Sequence, residues 1–380
     1  MADFDVIISG AGPAGCTAAL ALGSSGLNVA LIEKERFPRE KVCGDAIPAY
    51  VPKVLATINP SYRVALEGIE DKKPVSLCRY VAPDRTALDI TFRENGMVCR
   101  RSVFDSFLLD LASRLDNLTV ITGTPIKDVR PGSKGFAVST GNGDELTAKL
   151  LIGCDGSAGV SKRILAPYRH EPSEGSVAVR AYFSGIKDNP PETLEFHFLK
   201  QLLPGYFWIF PLPGNEFNAG IGMPSAVVSS GKINLRDLMM KIIETDPVIG
   251  PRFSTASMKG DIKGYNLPLF TRKRKISGER FMLCGDAASL VNPATGAGIG
   301  QAMQSGRYAG WQAAECFREN DFSVEFMKSY DLTLYGKLWR SNRNYMIIRN
   351  LVLKNPVVLN LASRAGNSNR FIRKELAEKL

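Results

Sequence analysis

Residues 3–35 read DFDVIISGAGPAGCTAALALGSSGLNVALIEKE, and the order of residue types within them decides the fold. An apolar run of strand length breaks into glycines, a small-residue segment of helical length follows from Pro13 and Ala14, and NVALIEKE reads as a second strand. Gly10, Gly12 and Gly15 match G-x-G-x-x-G, and Glu33 stands 18 residues past Gly15 at the end of that second strand. Strand, glycine turn, helix, strand and acid in this order form a dinucleotide fingerprint. Gly10 permits the turn, Gly12 lets a pyrophosphate reach the backbone, and Gly15 lets helix and strand pack closely. The helix N-terminus offers free N–H groups and a favourable dipole to the phosphates, and Glu33 is placed to accept from a ribose hydroxyl. The expected class is α/β with a Rossmann-like domain.

Composition narrows what surrounds that domain. The chain has 380 residues, 44% hydrophobic and 23% charged, enough for two domains with separate cores. Its seven cysteines include no C-x-x-C pair, so neither a disulfide framework nor a zinc site is expected, and a reduced cytoplasm is the simplest compartment. His170 and His197 are the only histidines and sit in no metal-like cluster, so no metal is expected. No apolar stretch is long enough to span a membrane. Asp3 and Asp5 occupy the place where a signal peptide would be basic, and no G-x-S-x-G elbow is present.

The net charge of +10 is uneven. Ten basic residues face three acids from residue 331 to the end, +7 of the whole. YMIIRNLVLKNPVVLNLASR (345–364) interleaves such bases with apolar residues. This is either a solvated basic helical tail or a surface for an anionic partner, a membrane at the inner face of the cell or a phosphate-bearing substrate. No nucleic-acid module is present, so nucleic acid is not an expected partner.

RFMLCGDAASLVNPATGAGIGQAM (280–303) chooses between nicotinamide and flavin. An apolar strand ends in Gly285-Asp286, and a second glycine-rich turn through Pro293, Gly296 and Gly298 enters a helix at Ile299. An acid at a strand end suits a ribitol hydroxyl, and a helix N-terminus stabilises negative charge on a reduced ring. These features fit FAD better than NAD.

Together with Arg101-Ser102-Val103-Phe104-Asp105 and Cys154-Asp155-Gly156, these motifs resemble the glutathione-reductase-type FAD fold of the p-hydroxybenzoate hydroxylase superfamily. The resemblance covers nearly all of residues 1–320. It implies that Arg101 contacts the FAD pyrophosphate region, that Asp286 binds ribitol, and that the Gly298-Ile299 backbone faces the flavin ring. One departure is DGSAGVSKR (155–163), where Gly159 or Val160, depending on register, replaces the serine of the hydroxylases' Asp-Gly-x-x-Ser-x-Val-Arg.

Two further stretches resemble the geranylgeranyl reductase family. FPREKVCGD (37–45) is similar to its Pro-x-x-Lys-x-Cys-Gly-Gly, with Asp45 in place of the second glycine, and Tyr206, Trp208, Phe210 and Pro211 match its Tyr-x-Trp-x-Phe-Pro. Leu212 stands where the family commonly has lysine. The resemblance implies that the aromatic strand holds an isoprenoid chain before the flavin, and that Lys34, Arg39, Cys43 and Gly44 join the cofactor site. Alternation alone puts Tyr206, Trp208 and Phe210 on one strand face, either as core or as the wall of a long apolar ligand. Phe92, Phe196, Phe198 and Phe270 are expected to extend that patch. Cys43 is either an inert core thiol or a proton source, ionised with help from Arg39 and Lys41.

The implied activity is reduction of an isoprenoid double bond on a lipid, quinone or pigment, with NAD(P)H or a small carrier as electron donor. An aromatic monooxygenase, a halogenase and an electron-transfer flavoprotein without alkene reduction are the alternatives. The expected organisation is a discontinuous FAD domain (1–70, 96–165, 272–330), an antiparallel-sheet substrate domain (71–95, 166–271) and a helical C-terminal region (331–380).

Overall fold

The structure is a computed structural model that describes residues 3–168 and 171–369, the side chain of Val352 excepted. Two eight-stranded sheets organise the chain. In the first, Phe281–Leu283, Glu145–Gly153, Phe4–Ser9, Val29–Ile32 and Leu118–Ile121 lie parallel in that order. Ser277–Gly278 closes one edge, and Ile126–Gly132 and Gly135–Thr140 form an antiparallel meander with Glu145–Gly153. The central strands are apolar throughout because parallel strands are covered on both faces: Ile7, Ile8, Ala30 and Leu31 are wholly buried. Each such side chain contributes roughly 1.5–3 kcal/mol through its burial.

The helix Pro13–Leu22 begins with proline at its first turn, where a missing N–H costs nothing. Its alanines and glycine admit the long helix Ile299–Glu319 at close range, since a Cβ on Gly306 would stand 2.0 Å from the Ala14 carbonyl oxygen. The two nucleotide-binding turns recognised in the sequence are thereby brought together.

The second sheet runs Ser257–Pro268, Gly175–Ser184, Glu216–Pro224, Tyr206–Leu212, Thr193–His197, Lys73–Val81, Ala87–Val98, Ala46–Ile47. It is antiparallel except where Thr193–His197 meets Lys73–Val81. Ala46–Ile47 pairs with Met97 and Val98, so the chain passes from the Cys43 loop directly into this sheet. One face packs Phe207, Ile209, Phe217, Ala219 and Ile221 against the helices Leu235–Thr245 and Ile249–Phe253. The other faces the first sheet across a cavity.

Beyond residue 320 the chain is helical. Val324–Ile347 docks on the first sheet, where Tyr330 Oη donates to the Leu283 carbonyl at 2.8 Å. After one wide turn, Ile348–Val352, the helix Pro356–Ser368 starts at Asn355, whose side chain accepts from the Val357 N–H at 3.0 Å. Arg364 ties this helix to Asp84 at 2.7 Å. Arg370, Arg373, Lys374 and Lys379, part of the basic tail, lie outside the described residues.

Candidate active site

A cavity of about 870 Å³ runs between the sheets. At one end it is lined by Gly10, Gly12, Pro13, Ala14, Glu33 and Lys34. Gly10 has φ +97, a conformation that side chains resist, and its carbonyl oxygen would lie 1.8 Å from a Cβ on Gly15. Gly15 therefore sits beneath the loop as a packing residue and does not line the cavity. Glu33 is held in place by two backbone donors, Ala11 N at 2.9 Å and Glu35 N at 3.1 Å.

Beside the loop lies a buried charge cluster. Arg101 makes a two-pronged pair with Asp105, Nε to Oδ1 at 2.7 Å and an Nη to Oδ2 at 2.6 Å, and Arg39 reaches the same Oδ2 at 3.0 Å. Two guanidinium groups thus share one carboxylate that is fully buried. The surplus positive charge lines the cavity next to Gly12, whose Cβ would stand 3.6 Å from Arg39. A pyrophosphate fits this arrangement as the missing anion. Asp105 carried one signal in the sequence, its position one helical turn after Arg101.

Farther along, Asp286 accepts from Tyr265 Oη at 2.9 Å, and Lys41 lies over the Tyr265 ring at 3.0 Å. Burial is the main influence on the Lys41 amine and brings its pKa down to about 8. Pro293, Gly296, Gly298 and Ile299 line the cavity beside Asp286. The backbone of the second glycine turn is available to a flavin ring there, so the residues present suit FAD along its whole length.

The departure at Gly159 has a local cause. Asp155 Oδ2 accepts from the Ser161 N–H at 2.8 Å at the start of the helix Val160–Leu165, and a Cβ on residue 159 would meet Asp155 Oδ1 at 2.0 Å.

The aromatic wall stands opposite. Tyr206, Trp208 and Phe210 pair in register with Gly222, Gly220 and Asn218. Trp208 lies over the glycines: a Cβ on Gly220 would stand 2.5 Å from its Cζ2. Phe92 and Phe196 join the wall. Pro211 does not, because it has the parity of Phe207 and Ile209 and is buried on the other face. Phe198 packs behind Tyr206, with ring centroids 6.0 Å apart. Phe270 belongs to the other core, stacked on Tyr335 at 5.4 Å. Neither reaches the cavity, contrary to the sequence expectation.

Cys43 and Gly44 line the cavity between wall and nucleotide loop. The expectation that Arg39 and Lys41 ionise Cys43 is corrected. Arg39 is committed to Asp105, Lys41 to Tyr265, and burial raises the Cys43 pKa against the opposing pull of Arg101. The group is held as a thiol. Asn218, which the sequence reading missed, donates to the Cys43 carbonyl and to Asp45 Oδ2, both at 2.8 Å. Tyr182 Oη also donates to Asp45 Oδ2 at 2.8 Å. A polar residue at the cavity-facing parity of an apolar strand was the available signal. His197 is buried beside Glu195 at 3.3 Å, while His170 lies outside the described residues.

Comparison with known proteins agrees with this geometry. Residues 3–189 match the FAD binding domain family. The chain is 30% identical to the digeranylgeranylglycerophospholipid reductase of Methanosarcina acetivorans over 93% of its own length and 84% of that protein's. It is 27% identical to the menaquinone reductase of Mycolicibacterium smegmatis, over 92% and 84%. Among solved structures, a geranylgeranyl bacteriochlorophyll reductase-like protein of Thermoplasma acidophilum superposes with a TM-score of 0.85 at 22% identity, covering 99% of this chain and 96% of that one. A flavin-dependent brominase reaches 0.80 at 19%, covering 99% and 92%. These two structural likenesses speak to the fold alone. With the sequence relatives, the shared-carboxylate arginine pair and the Cys43 loop facing an aromatic wall, the chain belongs to the geranylgeranyl reductase family of FAD-dependent oxidoreductases.

Proposed function

We propose that this protein reduces carbon–carbon double bonds in the isoprenoid chain of a lipid, quinone or pigment, with NAD(P)H or a small electron carrier as reductant. The observation that carries the reading is the continuity of one cavity from the dinucleotide loop to a wall of five aromatic rings, Phe92, Phe196, Tyr206, Trp208 and Phe210. Rigid aromatic surfaces bury a long apolar chain with little loss of side-chain freedom.

Reduced FAD supplies a hydride at the flavin N5. The chain's own residues then have three tasks. Glu33, Arg39, Arg101 and Asp286 hold the dinucleotide so that its ring lies by the second glycine turn. The wall places an alkene flat before the ring, at about 3–3.5 Å, and excludes water. Cys43 delivers a proton from Sγ to the carbon next to the one that receives the hydride. Its thiolate forms beside Arg101, whose positive charge stabilises it until water restores the proton.

We also propose that the C-terminal helices rest on an anionic membrane. Ile347, Leu351, Val357 and Leu361 are exposed by half or more, and Arg343 and Lys354 are exposed among them. Among the described residues no helix is long and apolar enough to cross a membrane. Binding to anionic liposomes that salt reverses supports surface docking, and indifference to lipid removes it.

The deciding experiment is anaerobic: reduce the holoenzyme with dithionite, add prenyl lipids and prenylquinones, and weigh the products. A gain of two hydrogens per bond with matching flavin reoxidation establishes the reductase. An oxygenated or halogenated aromatic, formed only in air, establishes one of the alternatives. Rapid electron exchange with carriers and no new product indicates an electron-transfer protein.

A further inference from the structure

Arg349 sits in the wide turn Ile348–Val352 and lines the same cavity as the aromatic wall. Its neighbour Ile348 packs with Phe198, Tyr80, Phe196 and Tyr206, which places the turn against the back of that wall. Among the described residues Arg349 has no carboxylate partner, and burial is the one influence on its guanidinium, lowering the pKa. Glu94, which also lines the cavity, is taken by Lys53 at 2.5 Å. Every other arginine that lines the cavity with a printed ion pair serves a carboxylate: Arg39 and Arg101 hold Asp105, and Arg180 holds Glu40.

Phenols gather around Arg349. Tyr50 and Tyr80 line the cavity, and both feel the hydroxyl of Tyr345, one helical turn before Arg349. Burial raises the pKa of all three, so they stay neutral hydrogen-bond donors. A half-buried cation without a counter-ion, among neutral donors at the edge of an apolar cavity, is an incomplete anion site.

We propose that Arg349, with Tyr50 and Tyr80, binds an anionic head group of phosphate type on the isoprenoid substrate, and selects such substrates over neutral ones. This rests on the reading of the cavity as an isoprenoid site. The planar guanidinium suits two phosphate oxygens at once, and a quinone offers it only neutral carbonyl acceptors. The family's lysine at the end of the aromatic motif is Leu212 here, buried in its strand, so a cation from the C-terminal helices takes over the part of a positive group at this cavity.

The test compares three probes of equal chain length, geranylgeranyl diphosphate, geranylgeraniol and a geranylgeranyl quinone, with dithionite-reduced holoenzyme. The native protein is expected to favour the diphosphate. Arg349→Gln is expected to lower the ratio of kcat/KM for diphosphate over alcohol by about tenfold or more, with Arg349→Lys in between. A ratio unmoved by Arg349→Gln overturns the proposal, as does native preference for the quinone or the alcohol. If no probe is reduced, the isoprenoid-reductase reading fails separately. Equilibrium dialysis of the diphosphate against oxidised holoenzyme then decides the anion site: tighter binding to native protein than to Arg349→Gln upholds it, and equal binding rejects it.

Discussion

Trp208 Nε1 donates to Asn218 Oδ1 at 3.0 Å, and the same asparagine's amide nitrogen bridges the Cys43 carbonyl and the Asp45 carboxylate. One side chain therefore fixes the aromatic wall to the cysteine loop. Asn218 is fully buried, so its partners cannot turn to water when it is removed. Asn218→Ala is expected to cost about 1–3 kcal/mol, read as a lower urea midpoint, and to shift tryptophan emission as Trp208 loses its acceptor. Unchanged emission and midpoint would show that the network holds nothing in place.

Asp45 is buried with φ +65, and its Oδ1 has no hydrogen-bond partner. Burial raises its pKa above 3.8 despite the help of Asn218 and Tyr182. The folded state therefore keeps this proton longer than the unfolded chain does. Stability from this group falls as pH rises from about 3.8 through the folded pKa, by roughly 1.4 kcal/mol per unit of pKa difference. Asp45→Asn removes that slope. The variant's stability relative to native protein should improve with pH from 4 upward, measured by denaturation at about five pH values across that window. A constant difference across the window contradicts the assignment.

The Asp105 carboxylate separates two buried guanidinium groups. Asp105→Ala leaves Arg39 and Arg101 side by side without their shared counter-ion, at an expected cost of about 3–5 kcal/mol in the apo protein. FAD restores an anion to the cluster. The deficit should therefore shrink when thermal unfolding is followed with excess FAD, and an equal deficit with and without FAD would exclude the pyrophosphate from this place.

Lys41 loses its charge near pH 8, whereas an unfolded lysine keeps it to 10.5. Native protein gains stability from this group as pH rises from about 8 toward 10.5, because the unfolded chain binds the extra proton. Affinity for FAD moves the opposite way, since the ammonium is the form that attracts a dianion. A weakening of about fivefold between pH 7 and 9 is expected by titration of flavin fluorescence, and Lys41→Met should flatten it.

Cys43→Ser keeps the volume of the side chain and makes the proton much harder to release. Holoenzyme should retain FAD and lose most alkene reduction, while ferricyanide still reoxidises the reduced flavin at the native rate. Undiminished alkene reduction would return Cys43 to a packing role.

The nucleotide half of the fold was legible because its signals are local. Gly10, Gly12, Gly15 and Glu33 lie within one strand, helix and strand, and each answers a backbone constraint that sequence spacing expresses. Strand parity was equally legible: the alternation in YFWIFP already placed Tyr206, Trp208 and Phe210 on one face, and it should have excluded Pro211. What the tertiary structure decided are contacts between residues far apart in the chain. Asn218 joins Cys43 across 175 positions, Arg39 finds Asp105, and Arg349 comes to the cavity from a turn beyond the helix Val324–Ile347. The protonation of Cys43 follows from the same cause. Its charged neighbours in sequence, Arg39 and Lys41, are spent on Asp105 and Tyr265, and burial of the thiol, a property of the packed structure, decides its state.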